Sequence, residues 1–136
     1  MPGEPFTKNR TEFDNRIDKI ESAYEFMLAY AAQGHEAGGG AAHEAEIRVY
    51  LNAIDQSLND LVGVIAALAE EKNPASVDTY REFINTLDSD AGKTRGAIRL
   101  VLAQNSISSQ LIDNLNASIH LRALLTDLFV FDEALK

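Results

Sequence analysis

Apolar residues recur along this chain in alternating steps of four and three, and four segments carry that rhythm. In the first it picks out Phe13, Ile17, Ile20, Tyr24, Met27 and Ala31. The second runs through Ile47, Leu51, Ile54, Leu58, Leu61, Ile65 and Leu68. The third uses Tyr80, Ile84, Leu87, Ala91, Ile98 and Val101, with Thr94 in the slot between Ala91 and Ile98. In the last, Ile107, Leu111, Leu115, Ile119, Leu125 and Phe129 point one way at ~100° per residue. A helix collects such positions on one stripe, and no segment shows the period of two that a half-buried strand needs.

Punctuation bounds the four segments. Asn9 to Thr11 offer a polar cap ahead of Glu12 and Asp14, acids suited to the positive end of a helix, and Gly34 stops the first helix. Three consecutive glycines make 34–42 a loop. Helices then follow over about 43–72, 76–103 and 106–136, the second ended by Asn73-Pro74 because proline pushes its predecessor out of the helical region. The short connections near 74 and 105 allow only antiparallel neighbours. The pattern therefore predicts an all-α, up-down-up-down antiparallel four-helix bundle over 9–136, preceded by a leader at 1–8. Gly92 and Gly96, four apart, weaken the third helix and would let another backbone come close.

Length and composition fit a single domain: 136 residues, 46% hydrophobic and 24% charged, are enough for a core without staples. The formal net charge of -9, with no clustered Lys or Arg, disfavours nucleic acid and anionic membrane surfaces as partners. No apolar run approaches the ~20 residues of a membrane span. The absence of cysteine removes disulfides, thiolate nucleophiles and thiolate metal sites, and together with an N-terminus unlike a signal peptide it points to the cytoplasm.

The last segment carries the only charge within an apolar arc, Arg122, with Ser118 beside it. A buried guanidinium needs a carboxylate. Asp14, Asp18, Glu21 and Glu25 form an acidic stripe beside the first helix's seam, and an antiparallel bundle brings residue 122 near residue 22. Arg122 is thus expected to pair with Glu21 or Glu25, as a register-fixing ion pair or, with His120 nearby, as part of a small-ligand site. A ferritin-like di-iron centre is not expected, because no Glu-x-x-His occurs and no seam position is acidic. His35-Glu36 and His43-Glu44 lie in and beside the Gly-rich loop, a poor frame for a metal. Ile119-His120-Leu121-Arg122-Ala123 departs from the His-x-Leu-Lys-Gly signature of phosphotransfer domains: the leucine comes one residue early and Ala123 replaces the glycine. Gly92-Lys93-Thr94 lacks the first glycine and the strand of a phosphate-binding loop. No catalytic residue, cofactor or metal is expected from these motifs.

Leu128-Phe129-Val130-Phe131 spans ~300° of a helix and cannot face a single core. With Leu124 and Phe131 placed opposite Leu111 and Phe129, the residues Leu124, Leu128, Val130 and Phe131 are the candidate interface. The expectation is a homodimer, or wrapping by the leader through Phe6. The function read from the sequence is a non-enzymatic interaction or scaffold protein. A ligand- or metal-binding bundle is the alternative, and phosphotransfer through His120 the remote one.

Overall fold

The computed structural model describes residues 7–33, 41–72 and 77–136. They form six α-helices and, among the described residues, no strand: α1 (Lys8–Ala32), α2 (Ala41–Leu58), α3 (Leu61–Lys72), α4 (Val77–Leu102), α5 (Ser109–Asn116) and α6 (Ile119–Ala134). The all-helical expectation holds, but the count does not: the second and fourth helices of the sequence reading are each broken. Residues 1–6 of the leader, most of the Gly-rich loop with His35, and Asn73-Pro74 lie outside the described residues, whereas Thr7 and Lys8, expected in the leader, are the cap and first residue of α1.

The first break falls at Asn59-Asp60. Asp60 takes a left-handed φ of 55°, a conformation that Asn and Asp tolerate better than most residues. The carbonyls freed where α2 ends accept hydrogen bonds from α1, whose Arg16 donates to those of Ser57 and Asn59. The apolar rhythm runs through the break undisturbed, so all seven seam residues from Ile47 to Leu68 are buried. The second break, at Ala117-Ser118, has a larger effect. It resets the rotation of the chain, and α6 buries Leu121, Leu124, Leu125, Leu128 and Phe131 instead of the arc that a continuous helix would extend.

The core is one cluster. α1 packs against α2, α3 and α5, while α4 packs against α2, α3 and α6. α1 begins on Thr7, whose hydroxyl accepts from the Arg10 N–H as an N-cap should. Along α1 the fully buried positions shift from the expected Tyr24 and Ala31 to Ala23 and Tyr30, leaving the expected pair half-buried. A straight helix drifts ~20° per heptad against a strict seven-residue repeat, which accounts for the one-residue slip. Thr94 is buried, as its slot implied, with its hydroxyl donating to the Asp90 carbonyl at 2.8 Å. Gly92 and Gly96 are exposed, and a Cβ built on either would meet nothing within 4 Å. The close backbone approach expected there is absent because both face away from the core.

α1 and the C-terminal pair run in opposite directions. The rings of Phe13 and Phe131 meet edge-on at 5.6 Å, Arg10 bridges to Asp132, and the Asn116 amide donates to the Met27 carbonyl at 3.1 Å. The connection between α4 and α5 is clamped from two helices. Arg48 of α2 donates to the carbonyls of Leu102, Gln104 and Asn105, and Glu44 accepts from the Ile107 N–H at 3.1 Å. Tyr30 of α1 donates its hydroxyl to the Ile107 carbonyl. Ser109 returns a bond to the Tyr30 carbonyl at 2.9 Å.

Candidate functional site

The outward side of α6 carries the most concentrated exposed apolar surface of the described residues. Ile119 is 73% exposed, Phe129 49% and Val130 52%. At ~100° per residue these three share one half of the helix with Arg122, Ala123, Thr126 and Glu133. Four of those positions, Ile119, Ala123, Thr126 and Val130, repeat the four-three-four spacing of a packing seam. The other exposed large hydrophobics, Leu28, Val49 and Leu100, stand singly on α1, α2 and α4, as isolated surface residues commonly do.

This arrangement corrects the interface read from the sequence. Leu124, Leu128 and Phe131 are buried, and only Val130 of that candidate set lies at the surface. Phe131 sits at the centre of an aromatic group, edge-on to Phe13 and Tyr80 and stacked on Phe83 at 6.3 Å. Ile119 and Phe129, expected inside, are outside. The cause is the Ala117-Ser118 break, which turns α6 so that its inward arc centres near Leu128. Asn116 and Ser118 were the available signal, since both favour helix ends over helix interiors.

The same rotation disposes of the expected ion pair. Arg122 is exposed and makes no ion pair among the described residues; Glu25 is exposed and Glu21 half-buried. Burial and the neighbouring carboxylates of Asp18, Glu25 and Asp132 raise the Glu21 carboxyl above its ordinary pKa. Glu21 makes no ion pair among the described residues. The arginine serving the acids at this end is Arg10, which bridges Asp14 at 3.2 Å and also Asp132. His120 is half-buried on α6. Thus Glu21, Glu25, His120 and Arg122 are not joined by any ion pair or hydrogen bond, and no three His, Asp or Glu side chains among the described residues are grouped to hold a metal.

On the inner flank of α6 stands a carboxyl that the sequence reading did not single out in this role. Asp127 faces Asp90 of α4, and its Oδ2 is out of solvent with no donor reaching it. Burial, then the neighbouring carboxyl of Asp90, push the Asp127 carboxyl up to about 7. Two carboxyls in contact attract only when they share a proton. Neither helical periodicity nor composition reveals such a pair, because it depends on the rotation of α6.

A cleft of about 360 Å³ opens where α1 starts and α3 and α6 end, lined in part by Arg10, Leu68, Glu71 and Lys72. Two of its charges, Glu71 and Arg10, are engaged by other helices. Thr7 and Asn9 donate to Glu71 at 2.8 and 2.7 Å, and Arg10 is held by Asp14 and Asp132. Of the described helices, none is long and apolar enough to cross a membrane. Compared with protein-family models, curated proteins and solved structures, the chain matches none of them.

Proposed function

We propose that this chain is a non-enzymatic contact protein whose working surface is the outer face of α6. The observation carrying this reading is the joint exposure of Ile119, Phe129 and Val130 on one helix side. Removing a fully exposed apolar side chain of this size from water contributes on the order of 1.5–3 kcal/mol, and these three are about half exposed or more, so a partner gains substantially by covering them. The inner side of the same helix is held by the Phe131 aromatic group, so the surface is presented on a rigid support. In this reading α2 with α3, and α5 with α6, act as two broken columns beside α1 and α4, giving a four-column, up-down-up-down bundle. The opposed contacts of α1 with α5 and α6 support that arrangement.

Site-specific photo-crosslinking in cells of the source organism tests the contact reading. A benzophenone side chain at Val130 is expected to give adducts, whereas the same probe at exposed Ser89 of α4 gives few. Equal or absent labelling at the two positions would remove the outer face of α6 as a working surface.

A further inference from the structure

The chain bears a formal charge of -9, so two copies repel across most pairs of surfaces. The outer face of α6 is different. Its charged residues are one Arg122 and one Glu133, about three turns apart on the same edge, with Thr126, Phe129 and Val130 at and beside the interval. Glu133 otherwise meets only Lys136, at 3.4 Å, in a pair whose side chains are 78% and 62% exposed. Such an exposed pair contributes little and is readily exchanged for another.

A charge pattern of this kind is complementary to itself when reversed. If two such helices lie antiparallel about a two-fold axis between Thr126 and Phe129, the edge of each meets the same edge of the other. Each Arg122 then stands against the opposing Glu133, and Phe129 and Thr126 of one helix meet Thr126 and Phe129 of the other. A parallel pairing would instead set Arg122 against Arg122 and Glu133 against Glu133. Along α6 the paired edge has Thr126 and Phe129 at its middle, no net charge, and a charge pair at each end. A two-fold contact needs a patch that complements its own copy. A basic partner would find a better match on the acidic surfaces elsewhere on the molecule, where this face offers it no net attraction.

We propose that the outer face of α6 receives the same face of a second copy of this chain, antiparallel, with Arg122 of each copy paired to Glu133 of the other. This rests on the contact reading above and names its partner. The Asp90–Asp127 contact lies on the inner flank and takes no part in the pairing.

Sedimentation equilibrium of the full chain from about 1 to 100 µM measures the association directly. The expected result is a monomer–dimer equilibrium. Val130→Glu should abolish it. Arg122→Glu and Glu133→Arg should each weaken it by about tenfold, because each breaks two symmetry-related pairs and replaces attraction with repulsion. The double exchange, Arg122→Glu with Glu133→Arg, should restore it. All of these positions are exposed, so the helical circular dichroism and melting of the monomer serve as a check that folding is intact.

A protein monomeric throughout this range overturns the second copy. If Val130 nevertheless crosslinks to a different protein, the contact reading survives and only the partner is wrong. A dimer sensitive to Val130→Glu but indifferent to both charge reversals overturns the antiparallel register. A dimer unaffected by Val130→Glu places the association elsewhere and sinks the pairing, while the crosslinking at Val130 decides the contact reading separately.

Discussion

A carboxyl group taken out of water beside another carboxyl keeps its proton to higher pH, and Asp127 is so placed against Asp90. The folded state raises Asp127 from 3.8 to about 7, so the fold binds more protons than the unfolded chain between those values. Stability from this group is therefore greatest below about pH 4, falls as pH rises toward 7, and levels off above it. Asp127→Asn places a permanent donor against Asp90. It is expected to raise stability by on the order of 1–2 kcal/mol at pH 7.5 and to flatten the fall between pH 4 and 7. Urea melts of both proteins across that range check this, and an unchanged pH slope in the variant would refute a raised Asp127 carboxyl. Phe131 poses the opposite case, an apolar residue the sequence reading put at the surface. Because it is buried against Phe13, Tyr80 and Phe83, Phe131→Ala should cost about 3–5 kcal/mol in the same melts. A loss below about 1 kcal/mol would indicate that the ring is not a core residue.

For the individual helices, legibility depended on whether a break changed the rotation of what followed. The Asn59-Asp60 break inserts a turn between Leu58 and Leu61, and both remain buried, so the seam of α2 and α3 could be read through it. The Ala117-Ser118 break left no such continuity. From Ile119 onward, inside and outside were exchanged for Ile119, Leu124, Phe129 and Phe131, and Arg122 went to solvent with them. A hydrophobic pattern gives the period of a helix but not its phase when the segment is rich in leucine and phenylalanine all round, as α6 is. The clamping role of Arg48 was illegible for another reason: its acceptors are backbone carbonyls more than fifty positions away. On α4, the exposed Gly92 and Gly96 lose backbone entropy on folding with no packing in return. Gly92→Ala and Gly96→Ala should each stabilise the protein by about 0.5–1 kcal/mol. A destabilisation in thermal melts would mean that another backbone does approach this face.

At the scale of the whole molecule, the proposed pairing through α6 would make stability depend on concentration. The melting temperature should rise as the protein is concentrated, and Val130→Glu should remove that dependence while leaving the dilute melting temperature nearly unchanged. A wild-type melting temperature independent of concentration across the dimerising range would contradict the pairing. The molecule is also unequal in where it can accommodate extra chain. Connections between helices are ordinarily the places that accept inserted residues. The connection from Leu102 to Ile107 is different, since Arg48, Glu44 and Tyr30 hold its carbonyls and an amide from two other helices. An inserted residue between Gln104 and Ile107 would pull those groups out of reach one after another. An insertion scan would accordingly find this stretch as intolerant as a helix interior: it is a loop by shape and a core element by tolerance.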